Sequence, residues 1–182
     1  MSGVALVEHD PDWARAFDAL VATLAEPLAG VGARVEHIGS TAVPGLCAKP
    51  VLDVLLGVPR LDLLASRIPH LVAAGWTYRP EYEATLPQRR YFVRPAAAGP
   101  RVHLHGVVEG SALWRDHLRF RDALRADAAL RGRYDALKRE LAVLHADDKA
   151  AYTDAKGPFI RAVLALPATS STAGDGFRHR IP

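Results

Sequence analysis

Two stretches decide the fold: Arg34-Val35-Glu36-His37-Ile38-Gly39-Ser40-Thr41, and Pro50-Val51-Leu52-Asp53-Val54-Leu55-Leu56-Gly57 after it. Residues 34–38 read as a strand and Gly39-Ser40-Thr41 as a turn. Residues 50–57 form a nearly continuous apolar run, the pattern of a central strand covered on both faces. One charge, Asp53, interrupts that run. A lone buried carboxylate costs on the order of several kcal/mol unless it is paired or bound to a metal. Asp53 is therefore either a functional group or half of an ion pair, and Lys49 is the nearest partner in sequence.

Outward from this pair of strands the chain organises itself. Residues 4–7 are a short apolar segment that reads as an edge strand. Asp10-Pro11-Asp12 reads as a helix start, with an Asp cap, Pro at the first helical position and acid near the positive end of the dipole. Trp13, Phe17, Leu20, Val21, Leu24 and Leu28 follow on one helical face. Residues 61–74 are helical in pattern, interrupted at Pro69. Residues 76–78, 90–93 and 102–108 read as strands, with a loop or lid over residues 79–88. Beyond Gly110 the texture becomes helical. Ser111 caps one helix, a second carries Leu130, Tyr134, Leu137, Leu141 and Leu144, and a third spans about residues 147–166 with a bend at Gly157-Pro158. The expectation is one domain over residues 1–166, an α/β core (1–110) followed by a helical cap (111–166). Residues 167–182 have no periodicity and read as a disordered tail.

Composition narrows the function classes. The chain has 182 residues, 49% of them hydrophobic, with 23 Lys+Arg against 20 Asp+Glu and a net charge of +3. That suits a soluble globule and is less basic than a surface built to coat DNA. Arginines interleave with acids, as in Arg115-Asp116 and Arg121-Asp122, so nucleic acid is an unfavoured partner. No run approaches the about 18 uninterrupted apolar residues of a membrane helix, and the opening residues lack a signal-peptide stretch. Cys47 is the sole cysteine, which excludes an internal disulfide and a Cys-rich zinc site. A cytoplasmic location is the expectation. Only Lys49, Lys138, Lys149 and Lys156 are lysines in a chain whose cations are otherwise arginine, so each draws notice.

Three groups of residues can carry chemistry. The Gly39-Ser40-Thr41 turn, followed by Asp53, can cradle a phosphate on backbone N–H groups and hydroxyls while the carboxylate holds a divalent metal against it. An ordinary strand-turn with a helix cap is the plainer reading. His103-Leu104-His105 on a strand aims two imidazoles at one face, suited to Zn²⁺ or Mn²⁺, to acid–base work, or to a solvated sheet surface. His37 sits beside the turn. Tyr152 and Lys156, at i and i+4, share a helix face. With Lys49, Arg90 and Arg121 they can neutralise phosphate, Arg90 pointing into the cleft and Arg89 outward. Lys138, between Leu137 and Arg139, reads as part of a solvated helix surface.

Taken together these residues resemble the GrpB family of small bacterial proteins. The likeness rests on Val35 through Leu46 (VEHIGSTAVPGL), Ala48-Lys49-Pro50, Asp53, Arg90-Tyr91-Phe92, His103-Leu104-His105, Trp114, His117-Leu118, Phe120-Arg121-Asp122, Tyr134, Leu137-Lys138, Tyr152-Thr153 and Lys156, and covers about residues 2–166. It implies an α/β (α+β) fold of the nucleotidyltransferase-like, polymerase-β-like type, a mixed sheet with flanking helices and a helical C-terminal part. In the wider nucleotidyltransferase pattern, a Gly-Ser turn is followed by Asp-x-Asp or Asp-x-Glu and a third acid on a later strand, which hold two Mg²⁺ ions. Here the first acid maps to Asp53, the second position is Leu55, and the later strand offers His103 and His105.

The resulting expectation is a nucleotidyltransferase-like protein that transfers a nucleotidyl or phosphoryl group to a small acceptor. Its catalytic and tentative metal residues are Asp53, His103 and His105. Its substrate-binding residues are Gly39, Ser40, Thr41, Lys49, Arg90, Arg121, Tyr152 and Lys156. The implied cofactors are a divalent metal (Mg²⁺, Mn²⁺ or Zn²⁺) and a nucleoside triphosphate. A tRNA end is compatible with the fold as a substrate. The alternatives are a non-catalytic module that binds a nucleotide or anionic metabolite, favoured by Leu55, and a Zn²⁺- or Mn²⁺-dependent enzyme of another type.

Overall fold

The structure is a computed structural model that describes residues 4–96, 99–167 and 179–182. Six strands form one sheet: β1 (Ala33–Ile38), β2 (Val51–Val58), β3 (Thr77–Tyr78), β4 (Arg89–Arg94), β5 (Arg101–Val108) and β6 (His179–Ile181). Their order is β3-β4-β5-β2-β1-β6. β2 and β5 pair in parallel, and every other pairing is antiparallel, so the sheet is mixed as expected. The apolar run at residues 51–58 is indeed central.

Side chains alternate between the two faces of this sheet. Leu52, Val54 and Leu56 of β2, Val102 and Leu104 of β5 and Phe92 of β4 point into the main core. There they meet α1 (Asp12–Leu24), α2 (Leu61–Ala65) and α3 (Ile68–Ala73), through Phe17, Leu20, Leu64 and Leu71 among others. The pattern over residues 61–74 thus becomes two short helices, with Pro69 in the first turn of the second, where its missing N–H costs nothing. At the start of α1, Asp10 Oδ1 accepts from the Asp12 N–H, 2.9 Å away.

The other face carries the odd-numbered residues of β2 and β5. Part of it is covered by α4 (Ala112–Ala126), whose Trp114 packs with Ile38, Leu55 and Val107. Gly57 makes this possible, since a Cβ there would meet the Trp114 ring. Ser111 caps α4 as its sequence suggests, its side chain accepting from the Trp114 N–H. Asp127 caps α5 (Ala128–Leu144), and Asp148 caps α6 (Lys149–Ala155). α7 (Gly157–Ala165) begins at the Gly157-Pro158 bend. A separate apolar cluster, with Leu124, Leu130, Tyr134 and Val163, binds these helices to Val43 and Leu46 after the Gly39 turn. That packing sets α5 and α6 beside the uncovered part of the sheet.

Two expectations change. Residues 4–7 form no edge strand. Val7 alone bridges to Ala48, exchanging backbone bonds of 2.8 and 2.9 Å. At the other end, residues 168–178 of the expected disordered tail lie outside the described residues. His179–Ile181, however, pairs with β1, and Ile181 is buried in the main core. Three residues are too short to show alternation, and only the edge left open by β1 gives them a place.

This last contact is testable. Ile181→Ala should destabilise the protein by about 2–4 kcal/mol, the usual cost of truncating a buried isoleucine. Urea unfolding reads it directly. A change near zero would mean that the chain end does not pair with β1.

Candidate functional site

The register of β2 against β5 builds the floor of the site. Asp53 lies opposite His103 and Leu55 opposite His105, all four on the face away from the main core. β4 continues the rows, Val93 beside His103 and Tyr91 beside His105. His103 Nδ1 and His105 Nε2 approach Asp53 Oδ1 at 3.4 and 3.8 Å. The Asp53 side chain keeps 33% of its surface open, enough to be reached from the cavity. Burial alone would push its carboxyl up, but the two imidazoles outweigh that and hold it well below the usual carboxylate range. The Gly39 turn closes over this carboxylate. Gly39 has φ 71°, and a Cβ there would overlap the Asp53 side chain, so only glycine fits on both counts.

Arg89 fixes the state of His105. Its Nη1 lies 3.4 Å from His105 Nδ1, and a guanidinium only donates. Nδ1 is therefore the acceptor, and the proton of the neutral ring sits on Nε2, facing Asp53. Burial, with the Arg89 charge acting the same way, lowers the tendency of His105 to protonate.

The cavity above this floor has a volume of about 730 Å³, and all four lysines of the chain line it. Lys49 and Lys156 stand over the same ring, that of Tyr152, at 5.2 and 4.5 Å. Burial and the neighbouring Lys49 lower Lys156 to about 8. Lys49 is lowered as well, first by burial and then opposed by Asp53. Lys138, fully enclosed on α5, donates to Ser40 Oγ at 2.9 Å and to the Cys47 carbonyl. Burial lowers it to about 8. A second depression of about 420 Å³ beside α1 gathers none of these groups.

Several residues stand elsewhere than the sequence suggested. Arg90 does not enter the cavity: it pairs with Glu83 at 3.0 Å and donates to the Pro87 carbonyl. Arg89 faces inward instead. Phe92 must enter the core, and that fixes the phase of β4, sending 89, 91 and 93 to the other face. Arg121 is buried in an ion pair with Glu36 (2.8 Å) and donates to the His37 carbonyl, bracing β1 rather than a ligand. Thr41 is buried, its hydroxyl donating to the Val51 carbonyl and meeting His37 Nε2 at 3.0 Å. Tyr152 is buried and offers the cations its ring face. Lys138 is no solvated surface residue. Its solitude among arginines was the signal, since arginine serves this chain everywhere else. Thr41 and Tyr152 line the cavity all the same, together with Ser40, Lys49, Asp53, His103, His105 and Lys156.

The donor set of Asp53, His103 and His105 is one carboxylate and two imidazoles. Among the described residues, however, no group of three or more His, Cys, Asp and Glu is arranged to hold a metal ion. The trio is a carboxylate flanked by two imidazoles. No helix among the described residues is long and apolar enough to cross a membrane.

The buried histidines impose a pH dependence. Burial drops both His37 and His117 to about 4, with Arg125 adding to the effect at His37 and His105 at His117. In the unfolded chain both protonate near the ordinary value of about 6.5. Between these values the unfolded state binds more protons, so their contribution is present above pH 6.5 and lost as pH falls to about 4. Unfolding free energies should decline through that window, and a His37→Gln/His117→Gln variant should show a flatter profile.

The family model described as GrpB protein matches residues 3–166. A UPF0157 protein of Halalkalibacterium halodurans is 33% identical over 165 residues, 90% of this chain and 82% of that protein. The crystal structure of the conserved protein GrpB from Enterococcus faecalis superposes with a TM-score of 0.78 at 31% identity, over 87% of this chain and 94% of that one. Cid1, in complex with its short product ApU, superposes with a TM-score of 0.52 at 12% identity, over 74% of this chain and 42% of Cid1. That last likeness speaks for a nucleotidyltransferase-like fold alone. With the family model matching residues 3–166 of its 182, the chain belongs to the GrpB family.

Proposed function

We propose that the cavity binds a nucleoside triphosphate and that the protein transfers a nucleotidyl or phosphoryl group from it to a small acceptor. One observation carries this reading: a chain that uses arginine nearly everywhere places all four of its lysines around one cavity floored by an accessible carboxylate. Lys156 lies within repulsive reach of both Lys49 and Lys138, and an anion among them relieves that repulsion. Lysine serves as a compact charge for phosphate oxygens, and several of them suit a chain of phosphates better than a single one.

The reacting end lies at Asp53. Leu55, buried under Trp114, takes the place of a second acid, so the floor has one carboxylate and works with imidazoles, Asp154 standing on the wall. Asp53 faces Nδ1 of His103, an arrangement that leaves Nε2 as the proton acceptor of a neutral ring. In this reading the acceptor hydroxyl attacks phosphorus and the bond to the leaving group breaks. The hydroxyl proton passes to His103. Apo contacts of 3.4 Å tighten in many sites once substrate is bound.

Lys156, lowered to about 8, gives the binding step a signature. A polyanion favours its charged form, so binding takes up a proton and affinity falls as pH rises through about 8. Thermal-shift measurements with nucleoside triphosphates, each with and without Mg²⁺, Mn²⁺ or Zn²⁺, should show a raised midpoint by mass action. Lys49→Ala/Lys156→Ala should weaken binding on the order of 10-fold or more. Asp53→Asn should retain binding and lose turnover, read as released pyrophosphate or phosphate. Absence of any shift, or a shift unaffected by the double lysine variant, would remove the reading. Binding without turnover in the wild type would leave a nucleotide-binding module, the role that Leu55 favours.

A further inference from the structure

We infer that Ser40 and Lys138 form a nucleophile–base pair, and that Ser40 takes up the phosphoryl-type group covalently before it is passed on. The inference rests on the transfer reading for its place in a reaction, but the pair can be tested without any nucleotide.

The geometry is specific. Ser40 lines the cavity at the start of the turn that follows β1, and its Oγ lies 2.9 Å from Lys138 Nζ. Lys138 comes from the middle of α5, ninety-eight residues away in sequence, and its side chain is buried. Its other contacts are the Cys47 carbonyl and the Tyr134 ring, 5.5 Å from Nζ. No carboxylate among the described residues pairs with it. Asp135, one turn earlier, is turned to the Cys47 N–H and to Arg139. A structural lysine in this setting would be expected to keep an acid beside it, because an unpaired buried ammonium is costly. Lys138 Nζ donates to Ser40 Oγ and to the Cys47 carbonyl; on losing its proton the amine keeps an N–H for the Cys47 carbonyl and turns its lone pair to the Ser40 hydroxyl.

Its charged neighbours act in both directions. Cys47 and Asp135 favour the ammonium form, while Lys156 and Arg139 disfavour it. Burial outweighs these and places the amine near the range where a general base works best. The step balances simply. Ser40 Oγ forms a bond to phosphorus, the bond from phosphorus to its leaving group breaks with the electron pair leaving on that group, and the hydroxyl proton moves to Lys138 Nζ. Lys49 and Lys156 line the same cavity and can neutralise the phosphoryl oxygens. In the return step the acceptor oxygen forms the bond to phosphorus, the bond from phosphorus to Ser40 Oγ breaks, Ser40 Oγ takes its proton back from Lys138 Nζ, and His103 takes the acceptor's proton.

A fluorophosphonate is the probe, since it demands the same displacement, with fluoride leaving, and no nucleotide recognition. Intact mass and peptide mapping should find one adduct, on Ser40, with a labelling rate that climbs through about pH 8 and then levels. Ser40→Ala should abolish it. Lys138→Arg keeps a cation with donors but cannot accept a proton at these pH values, and should slow labelling about 100-fold. A lysine that merely tethers the Ser40 turn to Cys47 would leave the rate nearly unchanged in that variant. No adduct on Ser40, or a rate in wild-type protein that is flat across pH 8, overturns the inference, and the wild-type profile decides it even should Lys138→Arg fail to fold. Labelling of Ser40 in a protein that binds no nucleoside triphosphate would uphold the pair and remove only the nucleotide reading. Nucleotide binding without labelling would do the opposite.

Discussion

The parallel pairing of β2 with β5 is the constraint on which the site depends. It sets Asp53 opposite His103 and Leu55 opposite His105, and it does so on the face that the main core leaves uncovered. A carboxylate in the middle of an apolar strand is tolerable only where something offsets its lost hydration. Here two imidazoles do this, and a third of the side chain remains open to the cavity. A shift of the register by one residue would turn Asp53 into the main core, toward Phe92, Val102 and Leu104, where no such offset exists. Core packing on one face therefore enforces the chemistry on the other.

Much of this was legible in the sequence because it depends on local rules. Ser111 as a cap, Pro158 at a helix start and the apolar run at 51–58 are decided within a few residues. The convergence of Asp53 with the two histidines was legible because period-two alternation makes His103 and His105 neighbours. What stayed hidden was long-range. Arg89 and Arg90 are chemically alike, and only the burial of Phe92 two residues on decides which enters the cavity. Arg121 matches the family pattern as well as Lys156 does, yet Glu36, a residue with no local peculiarity, claims it. Lys138 sits in a charged heptad of ordinary appearance, and its burial follows from how α5 docks on the Gly39 turn.

Lysine and arginine divide the work in this molecule. Arginines brace it: Arg34 and Arg121 hold Glu36, Arg139 ties Glu8 to Asp135, and Arg125 donates to the Ala42 carbonyl. Each uses the planar fork and permanent charge of the guanidinium. Arg79, Arg89 and Arg101 also reach the cavity, but all four lysines do, and there a group that can lose its proton is of use. Burial holds two of them near 8, so the site contains amines whose charge answers to whatever enters. Arginine at those positions would keep a fixed positive charge and could neither yield nor take up a proton.

The substitution of an acid by Leu55 fits this division. A second carboxylate beside Asp53 would raise the repulsion at the floor and would call for a metal to relieve it. With Leu55 packed under Trp114 and Gly57 leaving room for that ring, the floor carries one carboxylate between two imidazoles. The enclosed lysines bring positive charge from the cavity wall. The packing of Leu55 and the gathering of four lysines thus act together: one leaves Asp53 as the carboxylate of the floor, and the other sets cations around it.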